Sequence, residues 1–282
     1  MAFLKTIVKT ILYKPLFNIL IFLVWLTPGH NVAWAIIVLT ILVRVVLLPS
    51  SMKATRQQKK MRDLQPEIKA LQDKYKDDKQ QQAKVLMDFY KKNDVNPLGS
   101  CLPLLLQLPI LIVLYYVFLH GMSVDYFYLL YDFVPRPEYI KTVFLGIDLA
   151  QPDKWILPII AGVLQYIQGK QVMPEAPKTP EKGQEMQAMI SKQMLYMMPI
   201  FTVFIAGKLP AALPLYWIVT NIFSIAQQWY VFKDKTKAKV KKADETPDVE
   251  KIEKPKSNKI QKLLAKSKKK GVEVTIRRKS DR

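Results

Sequence analysis

The chain has 282 residues, half of them hydrophobic, with 43 Lys and Arg against 23 Asp and Glu, a formal charge of +20. The apolar residues lie in runs of roughly 17–22, with the charges between those runs and in the last fifty positions; a soluble globule mixes the two over helical or strand periods. A soluble enzyme, a disordered basic protein and a disulfide-stapled secreted domain are excluded (Cys101 is the only cysteine), and His30 and His120 are too few and too far apart for a zinc site.

In chain order, residues 1–31 open with the amphipathic stretch FLKTIVKTILYKP and a short apolar patch, Leu16 to Leu26. They read as an interfacial amphipathic helix and outer segment, with Lys5, Lys9 and Lys14 toward headgroups. A cleaved signal peptide is the competing reading, but no small-x-small site precedes Pro28-Gly29. The first span covers 32–49 and carries Arg44, the only full-time charge in the core of any span. At mid-membrane an arginine costs between ~3 and over 10 kcal/mol. Snorkelling past Pro49 would relieve it, yet helical side chains lean toward the N-terminus, which directs the guanidinium away from that end. A hydrated cavity lined by polar groups is the reading preferred.

Residues 50–96 are expected to stand outside the bilayer as a helical hairpin. Met61, Leu64, Ile68, Leu71 and Tyr75 follow a coiled-coil spacing, K-D-D-K at 76–79 forms a turn, and Ala83, Leu86, Phe89 and Tyr90 give a second stripe. Pro66 is expected to kink the first arm. The second span, 97–120, holds Gln107, and an external loop of 121–154 follows. The third span, 155–173, holds Gln165 and Gln168; a cytosolic loop, 174–190, leads to the fourth span at 191–206. After a short external connection at 207–210, the fifth span, 211–232, holds Asn221. These amides are candidate lining for the cavity, although each equally suits an ordinary interhelical hydrogen bond. A methionine cluster, Met173, Met186, Met189, Met194, Met197 and Met198, suits a surface that accepts varied apolar segments or simply packs. The basic tail, 233–282, reads as disordered and solvated, with KIQKLLAKSKKK suited to anionic lipids or to ribosomal RNA.

The expected architecture is therefore an all-α polytopic membrane protein: five transmembrane helices, an interfacial helix and a cytosolic helical hairpin. Segment 50–96 holds 12 Lys and Arg and the tail 19, against three in 121–154. The positive-inside rule then places the hairpin and C-terminus in the cytosol and the N-terminus outside. No nucleotide loop, nucleophile triad or metal cluster is visible, so the chain is not expected to be an enzyme or to hold a cofactor or metal.

Several stretches resemble the YidC/Oxa/Alb family of membrane protein insertases. They are YKPLFNIL at 13–20, TILVRVVLLPSSMKATRQQKKMRDLQPEIKALQDKY at 40–75, NPLGSCLPLLLQLPILIVLYYV at 96–117, ILPIIAGVLQYIQ at 156–168 and MMPIFTVFIAGKLPAALPLYWIVTNIFSIAQQW at 197–229. The resemblance implies a five-helix core around a hydrophilic groove open to cytosol and lipid. Arg44 matches the family's groove arginine, Tyr216 a position of substrate contact and Trp217, less securely, a groove-lining position. It implies nascent membrane proteins as substrates, the ribosome as a partner of the tail, a bacterial cytoplasmic (inner) membrane, and no DNA; it leaves a Sec translocon open as a partner. An additional N-terminal span with a large periplasmic domain, and an N-terminal lipoprotein cysteine, each found in many members, are not expected here. The alternative function is a small-solute transporter or channel, which would more usually show inverted repeats and acidic midplane sites.

Overall fold

Proline and apolar runs set the order of elements. A computed structural model describes residues 9–96, 102–173 and 185–233, with side chains from 107 and 193 in the helices that open the second and third of these stretches. A π-helical turn, Lys9–Tyr13, leads into α1 (Lys14–Leu26). Phe17, Leu20, Ile21 and Val24, spaced at i, i+3, i+4 and i+7, are fully buried, and α1 packs on α2 (Val32–Val46) and α6 (Leu102–Gly121). Its outward face is apolar too, with Ile19, Phe22 and Trp25 exposed. Lys14 lies over the Tyr131 ring, 5.1 Å from its centroid.

Pro49 stands in the first turn of α3 (Leu48–Asp63), where it removes a helical donor and crowds the preceding turn. The chain bends by 69° there and resumes as helix at once. Segment 50–96 therefore starts inside a helix. Pro66 repeats the device: the helix breaks at Leu64 and α4 (Gln65–Lys74) begins. Asp78 then caps α5 (Lys79–Lys92), its carboxylate accepting from Gln80 N at 3.0 Å and Gln81 N at 2.9 Å. Leu64, Ile68, Phe89 and Val95 form a small core there, with Met61, Leu71, Leu86 and Tyr90 against it. Tyr75 is not part of that core.

The segment after α6 is tied to α1 through the side chain of Asn18. Asn18 Nδ2 donates to Leu129 O (3.2 Å), and its Oδ1 accepts from Tyr131 N (2.6 Å). A two-stranded antiparallel hairpin, β1 (Val143–Phe144) and β2 (Ile147–Asp148), follows; the sequence reading has only a loop there. Asp153 caps α7 (Ile156–Val172), accepting from Leu157 N at 2.6 Å. Next come α8 (Glu185–Ala206), which starts ahead of the apolar run at 191–206, and α9 (Ala212–Lys233). The amides of Ala211 and Ala212 donate to Gln151 O and Leu149 O at 2.9 and 3.1 Å, which supplies partners at the start of α9. Helix α9 packs on α7 and α2, and α7 on α8.

Among the described residues no single helix is long and apolar enough to cross a membrane; α2 and α3 pass that test only together, as the bent pair. Several helices are diluted by polar residues, Gln165, Gln168 and Gln171 in α7 and Asn221, Gln227 and Gln228 in α9. Met1 to Val8, the start of the second span with Cys101, loop residues 174–184, the side chains of Met186 and Met189, and the tail beyond Lys233 lie outside the described residues.

Candidate functional site

Polar side chains inside an apolar bundle must find each other or a mobile partner. Arg44, in the last turn of α2, interacts electrostatically with the hydroxyl of Tyr216 near the start of α9. Tyr216 is 2% exposed, and its hydroxyl accepts a hydrogen bond from Gln107 Nε2 of α6. Tyr216 thus links α6 to α9 and lies within electrostatic reach of the Arg44 charge on α2. The stretches Val32–Val46, Leu102–Gly121, Ile156–Val172 and Ala212–Lys233 contain no Asp or Glu to neutralise it.

From Tyr216 a polar stripe continues along α9 through Thr220, Ser224 and Gln228 at i+4 spacing, with Gln227 three residues after Ser224. Asn221, beside the stripe, donates from Nδ2 to Ala161 O of α7 at 3.2 Å. Gln165 lies one turn beyond Ala161, and its Oε1 is buried without a partner among the described residues. At the far end, Ser51 Oγ donates to Gln227 Oε1 (3.2 Å) and Gln227 Nε2 donates to Thr55 Oγ1 (3.0 Å), joining α9 to α3. Arg62 completes that end: Nη1 donates to Gln171 O at 2.9 Å, and the guanidinium stacks 4.3 Å from the centroid of Phe232. Gln171 Oε1 and Gln228 Oε1 are also buried without partners among the described residues.

Of the residues picked out from the sequence, Gln107 and Tyr216 meet, and Arg44 lies within electrostatic reach of Tyr216. Gln165 and Asn221 lie on the neighbouring α7–α9 seam. Gln168 is half-buried on α7, and Trp217 is half-buried against the main core beside Ile218. Sequence reasoning missed Ser51, Thr55, Gln171, Thr220, Gln227 and Gln228. The period-four spacing of polar residues after Tyr216 is the signal that would have found those on α9.

Outside the site, the Tyr13 hydroxyl and His120 Nδ1 share a hydrogen bond at 2.6 Å. Burial, then Tyr128, then Tyr126 push the Tyr13 phenol up to about 12, so it stays protonated at any physiological pH. Among the described residues no group of three or more His, Cys, Asp or Glu is placed to hold a metal. Along this stripe the described side chains offer two guanidinium groups, Arg44 and Arg62, and the unpartnered amide oxygens of Gln165, Gln171 and Gln228.

A sequence profile of the 60Kd inner membrane protein family matches residues 24–239. Among similar proteins, the membrane protein insertase YidC of Thioalkalivibrio sulfidiphilus is 40% identical over 233 residues, 80% of this chain and 36% of the relative. That of Stutzerimonas stutzeri is 38% identical over 202 residues, 71% of this chain and 32% of the relative. The membrane protein insertase YidC of Clostridium tetani is 37% identical over 203 residues, 71% of this chain and 81% of the relative. The chain thus spans about a third of the length of the first two relatives and most of the third.

Proposed function

The chain belongs to the YidC/Oxa/Alb family of membrane proteins, and we propose on that basis that it is an insertase and membrane chaperone that passes polar tails of client proteins through a hydrated cationic groove. Helices α2, α6, α7, α8 and α9 are the five spans of this reading, in a bacterial cytoplasmic membrane. Helices α3 to α5 and the C-terminus then lie in the cytosol and the N-terminus outside. The observation that supports it most is the Arg44 charge within electrostatic reach of Tyr216, itself hydrogen-bonded to Gln107, where the stretches of α2, α6, α7 and α9 hold no Asp or Glu.

The mechanism follows from the cost of dehydrating a polar tail. A groove wetted part of the way across the bilayer shortens the apolar distance that tail must cross. The unpartnered acceptors on Gln165, Gln171 and Gln228 offer mobile partners successive hydrogen bonds along the path. Arg44 holds an acidic group transiently. Meanwhile the client's apolar segment moves into lipid along α6 and α8, whose outward faces present Leu108 and Ile112, and Met197, Ile200 and Phe204. Partitioning of that segment, with the membrane potential at about 2.3 kcal/mol per charge per 100 mV, drives release. No nucleotide is needed. The relatives compared above carry insertase names, so the solute-transporter alternative is set aside.

Depleting the protein from its native cell is expected to reduce insertion of short single- and double-span reporters. Unchanged insertion contradicts the reading. The basic tail is proposed to recruit ribosomes through phosphate contacts, supported by its 19 Lys and Arg. Removing residues 233–282 is then expected to abolish salt-sensitive co-sedimentation with ribosomes; equal binding leaves the tail to anionic lipids.

A further inference from the structure

The hairpin tip between β1 and β2 carries a residue that the fold does not explain. Leu145 and Gly146 form a two-residue loop closed by the Phe144–Ile147 pair, with φ of 50° and 83°. Two consecutive positive φ values define the turn that Asn-Gly and Gly-Gly serve best, and a branched apolar side chain is unfavourable in that backbone region. Packing does not compensate: Leu145 is 86% exposed, and Val143 two residues before it is 45% exposed. An exposed leucine at a position that favours asparagine is costly in water on both counts. Strain held at an exposed apolar tip points to a contact made outside the chain.

The tip's position identifies that contact. Phe144 packs edge-on against Trp34, with ring centroids 5.6 Å apart. Trp34 lies in the first turn of α2 and heads an exposed apolar stripe of Val38, Ile41, Leu42 and Val45, spaced at i+4, i+7, i+8 and i+11. The hairpin therefore sits on the outward flank of α2, at the end of the stripe that faces lipid in the reading above, and continues that stripe past the helix terminus. Tryptophan and phenylalanine at a helix end, followed by an apolar tip, match the composition of a membrane–water interface.

We propose that Leu145, with Val143, dips into the interfacial layer of the outer leaflet and anchors the 121–154 segment beside the first span; this rests on the bilayer placement of α2. The occupant is phospholipid, at the depth of the glycerol and first acyl carbons. In a Cys101→Ala background, an environment-sensitive fluorophore is attached at Leu145→Cys or, as reference, at Ile41→Cys. The proteins are reconstituted in phosphatidylcholine vesicles carrying spin labels near the headgroup or near the chain end. Stronger quenching at 145 by the shallow label than by the deep one is expected, with Ile41 quenched by the deep label. Quenching at 41 but not at 145 overturns the anchor and leaves the bilayer placement intact. Quenching at neither position overturns the placement and the anchor with it.

A second measurement uses the native-cysteine chain. Leu145→Asn improves the turn but removes the apolar tip. In phospholipid nanodiscs it is expected to accelerate amide exchange across 143–149 by about threefold or more through loss of the anchor. Slower or unchanged exchange means that only turn preference acts at this position and overturns the proposal.

Discussion

Replacing Arg44 by alanine is expected to lower insertion of a reporter with an acidic translocated tail by at least about tenfold, equivalent to ~1.4 kcal/mol of lost stabilisation along the path. A reporter with a neutral tail is expected to change far less. The reasoning is electrostatic: the stretches Val32–Val46, Leu102–Gly121, Ile156–Val172 and Ala212–Lys233 hold no carboxylate, and the described group within electrostatic reach of Arg44 is the Tyr216 phenol. An acidic group on a client supplies the missing counter-charge at a place where screening is weak. Arg44→Lys keeps the charge but offers a single ammonium in place of the planar five-donor fork, so partial activity is expected. The protease-protected fraction of each reporter is the readout. Equal losses for acidic and neutral tails would show that Arg44 supports the bundle and does not select charge.

Gly162→Leu is expected to separate α7 from α8 and lower the thermal unfolding temperature in detergent by about 5 °C or more. A Cβ at Gly162 would stand 2.4 Å from Val203 Cγ2 and 3.2 Å from the Pro199 carbonyl oxygen. Neither neighbour yields easily, because valine in a helix has one strongly preferred rotamer and the carbonyl belongs to the backbone. Even Gly162→Ala is expected to cost about 1–3 kcal/mol, and Val203→Ala in the same chain should recover part of it. Gly121→Ala is the internal comparison. Its Cβ meets Leu20 Cδ2 at 2.5 Å, the free end of a flexible side chain, so a rotamer change absorbs most of the clash. A Gly121 variant as damaging as the Gly162 variant would contradict this view of the α7–α8 contact.

Much of the helix order is legible because apolar runs and prolines are local signals. Pro66, in the first turn of α4, marks a break that a sequence shows directly. The start of α8 at Glu185 is not legible in the same way, since hydropathy locates an apolar run and not the helix that contains it. The bend at Leu47 shows the same limit: Pro49 is visible, but not that the helix resumes at Leu48. The β1–β2 hairpin escaped because two-residue strands leave no periodicity, and Leu145 disguises a turn that asparagine would have announced.

For the site, Arg44 stood out as a lone charge, and Gln107, Gln165 and Asn221 as amides among apolar residues. Tyr216 and Trp217 entered only through resemblance. Gln227 could not be paired with Ser51 and Thr55 from one sequence, because the partners lie 176 and 172 positions apart and across a helix bend. That linkage ties the base of the 50–96 segment to the end of α9. Its polar groups stand at the end of the polar stripe that follows Tyr216 on α9.

The most direct measurement is insertion into vesicles made only from phospholipid and the purified full chain, without nucleotide or any other protein. A single-span reporter with an acidic tail should acquire a protease-protected tail well above the level in empty vesicles, and the excess should fall with Arg44→Ala. Protection that is equal in loaded and empty vesicles would contradict an insertase activity in this chain.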